Sequence, residues 1–275
     1  MNAAYASTTQ TLSALKARIA ALEGRPLTLE ADRAPPWSWG EPTLDHALGG
    51  GLATDALHDW TATGPHAASA VALLLALLAR RPAGDVLWVT TTAMAMDYGR
   101  PYGPGMAALG LDPTRFLFAV GRRELDVAWA LEEGLAAAAT AAGGLAAVVG
   151  IGGALDFTAS RRLSLAAARH GCPCLWLSLG GTAAGGRAAG SAAHTRWRVE
   201  SRPSRPEPHA PRTPGPPVWR MSLTRARSLP PLAFDVTWND ESRRFLLAGP
   251  VAAPAGDRPL AASRPPVSAA APRAA

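Results

Sequence analysis

The chain has 275 residues, 28.4 kDa, 48% apolar residues and a formal net charge of +6. That length accommodates one domain of about 200 residues with tails and a sizeable core. No run of 18 or more apolar residues passes without a charge or a Gly/Pro break, which argues against a membrane-spanning helix. The start, M-N-A-A-Y-A-S-T-T-Q-T-L-S-A-L-K-A-R, lacks the basic-then-apolar order of a signal peptide. A cytoplasmic protein is the expectation.

Two cysteines, Cys172 and Cys174, are too few for a disulfide framework. With His170 they spell H-G-C-P-C, but structural zinc takes four ligands, usually in paired clusters, and no second cluster follows. Core thiols are expected, with no metal and no cofactor. The charge is uneven. Residues 1–186 carry 13 Lys/Arg and 15 Asp/Glu, net −2, and residues 187–275 carry 14 Arg and 6 Asp/Glu, net +8. A basic C-terminal third can meet nucleic acid or an acidic partner. Because Lys16 is the only lysine and alanine is abundant, part of this bias reflects Arg- and Ala-rich codon usage.

In chain order, residues 8–24 read as a short amphipathic helix. Leu12, Leu15, Ile19 and Leu22 recur at spacings of three and four, a narrow apolar stripe. The stripe can pack on its own domain or dock on a partner. The unit 1–24 is followed by a linker, 25–42. Then T-L-D-H-A-L-G-G-G-L, 43–52, reads as a helix closed by glycines, and A-L-H-D-W, 56–60, as a strand. A loop leads to an Ala/Leu helix from His66 to Arg81. Strands follow at 85–90, 115–120, 145–151 and 174–179. Between them lie a loop and short helix at 101–111, a long helix from Glu124 to about Ala142, and a helix from Asp156 to His170 capped by Asp156 or Thr158. Continuous apolar strands alternating with helices predict an α/β fold with a parallel sheet flanked by helices.

The pattern then changes. Segments 196–200, 218–223, 233–238 and 244–248 alternate polar and apolar residues. They read as antiparallel strands with one wet face. Residues 201–217, S-R-P-S-R-P-E-P-H-A-P-R-T-P-G-P-P, form a Pro/Arg-rich loop, and 250–275 read as a disordered Ala/Pro/Arg tail. The folded unit is expected to span 43–249.

The segment 43–81 has the order of a nucleotide site, yet its chemistry is missing. A phosphate loop reads G-x-x-x-x-G-K-[ST], and its amides cradle phosphates at a helix N-terminus. Here the loop is W-T-A-T-G-P-H-A-A-S, 60–69, with Pro65, His66 and Ala67 in place of the second Gly, the Lys and the hydroxyl residue. Pro65 also removes an amide donor. The strand that should end in a magnesium-binding Asp reads A-A-V-V-G-I-G-G, with Gly150 at that position. The strand at 85–90 runs into T-T-T-A-M-A-M-D, without a carboxylate to activate water. Three losses in three segments predict a protein that is not an enzyme.

These segments resemble the entry of the RecA fold and, more closely, the ImuA family of RecA-like accessory proteins in bacterial inducible mutagenesis. The matching stretches are L-x-x-L-K-x-x-I-A-A-L-E-G (12–24), L-D-H-A-L-G-G-G-L (44–52), V-L-W-V (86–89), Y-G-P-G-M-A-A-L-G-L-D-P-T-R (102–115), A-W-A-L-E-E-G-L (128–135), A-A-V-V-G (146–150), L-D-F-T-A-S-R-R-L-S-L-A-A-A-R (155–169) and T-R-W-R-V (195–199). The likeness covers about residues 10–250. It implies a RecA-like core and a role in translesion synthesis within the SOS response to DNA damage. The implied partners are an ImuB-like Y-family polymerase relative and an error-prone replicative-type DNA polymerase, with RecA and DNA as further candidates. It carries over no catalytic residue. Two other classes stay open: a SulA-like cell-division inhibitor and a RecA-type DNA-dependent ATPase. The first is tested by filamentation on overexpression; the second conflicts with Lys16 being the only lysine.

No side chain outside the lost site makes a convincing catalytic group. Asp97, Asp126, Glu132 and Glu133 read as loop or helix carboxylates, and Ser160 has no nearby base. The candidate DNA- or partner-binding residues are Arg196, Arg198, Arg220, Arg225 and Arg227, with Trp197 stacking on a base, and the stripe Leu12, Leu15, Ile19 and Leu22.

Overall fold

The computed structural model describes residues 34–249 except 82–83, 139–143, 181–189, 205, 207–208, 210–211 and 228. The stripe Leu12, Leu15, Ile19 and Leu22 and the tail 250–275 lie outside the described residues.

Among the described residues a nine-stranded sheet organises the fold. Its strands are β1 (Leu57–Ala62), β2 (Asp85–Thr91), β3 (Phe116–Gly121), β4 (Leu145–Gly152), β5 (Cys174–Leu179), β6 (Thr195–Arg202), β7 (Val218–Ala226), β8 (Leu232–Asn239) and β9 (Arg244–Leu247). Their spatial order is β3-β2-β4-β5-β1-β6-β7-β8-β9. The helices are α1 (Pro42–Ala47), α2 (Ala67–Leu78), α3 (Thr92–Tyr98), α4 (Gly103–Ala108), α5 (Glu124–Ala137) and α6 (Phe157–His170). The first six strands of the spatial order are parallel. The last three, β7–β9, are joined antiparallel.

Strand β6 corrects one expectation. It alternates in polarity like its successors, yet it runs parallel to β1, with His58 opposite Thr195 and Trp60 opposite Trp197. Only its other edge, toward β7, is antiparallel. Period-two alternation reports that one face is wet, not which way a strand runs. Trp197 and Val199 face the core, and Arg196, Arg198 and Glu200 take the opposite face.

Two cores sandwich the sheet. On one face α2, with eight of its twelve residues buried, packs with Trp39, Trp60, Trp197, Trp219, Phe234 and Phe245. On the other, α5 and α6 cover Leu57, Val89, Val148 and Trp176 through Val127, Leu131, Leu135 and Leu163. The expected linker 25–42 ends inside the first core. Trp37 forms a bridge with Leu52, its N–H donating to the Leu52 carbonyl at 2.7 Å. Trp39 is fully buried, with ring centroids 5.1 Å from Phe245 and 6.1 Å from Trp197. Asp45 holds the turn by accepting from Trp39 N–H at 2.7 Å and from the Ser38 hydroxyl at 2.6 Å. Each such aromatic removes about 150–250 Å² from water, about 4–6 kcal/mol of gross burial at ~25 cal/mol/Å². Residues 37–42 therefore belong to the folded unit.

Helix α3 was not expected. Thr91 caps it by accepting from Met94 N–H at 3.2 Å, and none of its residues is buried. A helix without a buried face has no apolar period to read. Helix α5 is described to Ala137, and residues 139–142 of its expected extent lie outside the described residues.

Candidate functional site

Nucleotide sites of open α/β sheets lie beyond the carboxyl ends of the strands. Here that edge is formed by the ends of β1, β5, β4 and β2. Between β1 and α2 only Thr63–His66 intervene, with Gly64–His66 in a 3-10 turn. The amides that would cradle a phosphate are used within the turn. His66 N–H donates to the Thr63 carbonyl at 3.1 Å, Ala67 N–H to Gly64, and Pro65 has none. His66, near the lysine position, is tied sideways to β6. Its Nδ1 accepts from Ser201 N–H at 3.0 Å and lies 2.9 Å from Ser201 Oγ.

The carboxylate position is filled. A Cβ on Gly150 would stand 2.6 Å from Leu131 Cδ1 and 2.7 and 2.9 Å from two Trp176 ring atoms. On Gly152 it would meet Trp176 at 3.2 Å and Glu124 Cγ at 3.3 Å. The Trp176 ring cannot swing aside. It is fully buried, and its Nε1–H reaches the Gly153 carbonyl at 3.2 Å and Ser178 Oγ at 3.1 Å. The neighbouring carboxylates serve the backbone. Glu124 Oε1 accepts from Gly153 N–H at 3.2 Å, and Asp156 caps α6 by accepting from Ala159 N–H at 2.8 Å. At the end of β2, Thr91 caps α3.

The second candidate region is the face of β6–β8 opposite α2. It carries the expected arginines, but two are neutralised locally. Arg196 Nε lies 3.4 Å from Asp59 Oδ2, with both side chains largely buried. Burial raises the Asp59 carboxyl above its usual range, and the Arg196 charge and a Ser191 hydrogen bond oppose that rise. Arg220 grips Asp235 in a two-pronged pair at 2.8 and 2.9 Å. Arg202 lies 3.4 Å from Glu200. Arg198, Arg225 and Arg227 are exposed.

Trp197 is corrected outright as a base-stacking residue. It is fully buried, stacked on Trp60 at 5.1 Å and 11°. Its Nε1–H donates to Thr195 Oγ1 at 2.8 Å. An indole sealed in the core cannot stack on a base. Arg196 and Arg220 are likewise held by Asp59 and Asp235, so the five arginines do not form one free cationic surface.

Sequence reasoning did not single out His58. It is fully buried between Thr195 Oγ1, 2.7 Å from Nδ1, and the Ala53 carbonyl, 2.8 Å from Nε2. A carbonyl only accepts, so Nε2 carries the proton and Nδ1 receives the Thr195 hydroxyl. Burial lowers its pKa to about 4, so it is neutral near pH 7. The relay Trp197–Thr195–His58–Ala53 locks the start of β1 to β6. Cys172 and Cys174 are buried free thiols, pushed up by burial. Among the described residues no cluster of His, Cys, Asp or Glu could hold a metal, and no helix is long and apolar enough to cross a membrane.

No family model matches the chain. It is similar to Protein ImuA from two strains of Caulobacter vibrioides, each 35% identical over 205 residues, covering 70% of this chain and 79% of the relative. Its fold is similar to the crystal structure of the RadB recombinase, with a TM-score of 0.51 at 17% identity, covering 76% of this chain and 98% of that one. The fold is thus RecA-like, a mostly parallel sheet flanked by helices with antiparallel strands at its C-terminal side. With a curated relative of this identity spanned over most of its length, the chain belongs to the ImuA family.

Proposed function

We propose that this protein is a non-catalytic RecA-like adaptor of an error-prone translesion synthesis complex in the SOS response. It binds an ImuB-like Y-family polymerase relative, and the pair holds a replicative-type error-prone polymerase. One observation carries the non-catalytic half: the chain's own Trp176 and Leu131 occupy the space beside Gly150. Without phosphates to favour one state over another, there is no nucleotide switch, and the fold serves as a fixed scaffold. Membership of the ImuA family supports the mutagenesis setting.

The C-terminal third is the favoured partner segment. Its Pro-spaced arginines can order on a partner at an entropic cost. Direct DNA contact, if made by the sheet face, falls to its exposed arginines Arg225 and Arg227. The test is co-purification with the ImuB-like neighbour for the full chain and for truncations lacking residues 1–24 or 250–275, the second leaving the core strands β7–β9 in place. Loss only in the second supports the assignment. No complex with the intact chain at micromolar concentrations, the scale of an ordinary transient association, overturns the adaptor reading. A fluorescent-ATP titration with magnesium should show no low-micromolar binding; such binding would overturn the non-catalytic reading.

A further inference from the structure

Helices α5 and α6 are consecutive crossovers between parallel strands, so they run side by side in the same direction on one face of the sheet. Arg162 on α6 reaches Glu132 on α5 at 2.6 Å, which sets their relative height. Their inner faces are filled by one core. Their outer faces are not ordinary polar surface. Trp129 is 61% exposed, Leu125 55% and Leu165 51%. Isolated apolar residues on a surface need no explanation, but an exposed tryptophan one helical turn from an exposed leucine, with a third such residue on the next helix, marks an interaction face.

The charges on this face are divided between the helices. The outer side of α5 carries Glu133, and that of α6 carries Arg161 and Arg169, all exposed. None of the three makes an ion pair among the described residues. An acidic helix beside a basic one is complementary to its own copy. We propose that this face joins two copies of the chain about a two-fold axis parallel to the helices, α5 of each against α6 of the other. A two-fold axis perpendicular to the helices would set α5 on α5, acid against acid; the charge division rejects it. In the parallel arrangement the Glu132–Arg162 height carries over between copies. Glu133 then stands within reach of Arg161 of the second copy. Trp129 lies near that same guanidinium, and Leu165 meets the level of Ala136, which is small and exposed. Isologous contacts of this kind place each residue pair twice.

The area sets the strength. Two helices of 14 residues, about 21 Å long and spaced about 10 Å apart, offer a footprint of about 400 Å² per copy. The two copies together would bury about 800 Å², less than a stable specific interface, so the pairing should be weak and transient, in the micromolar range.

The experiment is sedimentation equilibrium of the full-length chain alone from about 1 to 100 µM at low salt. The wild type should self-associate within that range. Trp129→Glu and Glu133→Arg should each weaken association at least tenfold, with unchanged urea midpoints because both sites are on the surface. Arg161→Glu should do the same, and the double variant Glu133→Arg/Arg161→Glu should regain most of the loss. A wild type that stays monomeric to 100 µM overturns the proposal. So does association unaffected by Trp129→Glu, or a double variant no better than its parents. A monomeric wild type from which Trp129→Glu removes co-purification with another protein also overturns it and assigns the face to that partner. The chain is tested without its ImuB-like neighbour, so failure here is separable from failure of the adaptor reading.

Discussion

Restoring the carboxylate at position 150 should not restore a nucleotide site; it should damage the fold. Gly150→Ala adds one methyl at a point 2.6 Å from Leu131 Cδ1 and 2.7 Å from the Trp176 ring. The backbone there is not in the left-handed region, so alanine is conformationally acceptable and recovers up to about 1 kcal/mol by restricting the unfolded chain. Against that stands overpacking of a buried, hydrogen-bonded ring, about 1–3 kcal/mol. The net expectation is a loss of about 1–2 kcal/mol. Gly150→Asp adds a carboxylate in the same dry space and should lose more than about 4 kcal/mol. Urea unfolding of both variants gives these values directly. In a Trp176→Ala background the added methyl has room, so its cost should shrink by about 1 kcal/mol, a coupling between touching residues. If Gly150→Asp unfolds at the wild-type urea midpoint, or binds nucleotide with magnesium, the filled-site reasoning is wrong.

Three further outcomes follow from the cores. His58 has a pKa lowered by burial from 6.5 to about 4, so the unfolded chain binds the extra proton first. Its contribution is complete above about pH 6.5 and is lost as pH falls toward 4, about 3 kcal/mol in all. The difference in urea stability between wild type and His58→Gln should follow that window, and the raised carboxyl of Asp59, which acts in the opposite sense, cancels in it. Trp39→Ala should cost about 3–5 kcal/mol. Trp39→Phe should cost clearly less, because the lost indole N–H has no acceptor among the described residues; equal losses in thermal denaturation would contradict the packing. Arg196→Ala strands the largely buried Asp59 and should cost about 3–5 kcal/mol. Adding Asp59→Asn should recover much of it, and a double variant as unstable as Arg196→Ala would refute the pairing.

The parallel half of the fold was legible because strands buried on both faces read as continuous apolar runs between helices. The direction of β6 was not, since alternation carries no direction. Neither was α3, whose residues are all partly or fully exposed. At the degenerate site the loss of lysine and carboxylate could be read at Pro65, His66 and Gly150. What replaced them could not, because Trp176 arrives from a different strand and Ser201 from β6. The arginine face misled for the same reason. Asp59 lies 137 positions before Arg196, and only the β1–β6 register brings them opposite. Trp197 between two arginines looked exposed, whereas period two turns it inward to Trp60.

The β1–β6 pairing also dictates when this protein can finish folding. Strand β1 is complete by residue 62, and its neighbour β5 by residue 179, yet the other edge of β1 stays open until residues 195–202 arrive. A ribosome must therefore make more than a hundred residues while that edge is bare, and Trp60 waits for the ring it stacks on. Such an edge is a template for stray pairing, and pairings this distant in the chain form slowly. A chain stopped before β6 would leave one of its innermost strands as an open border.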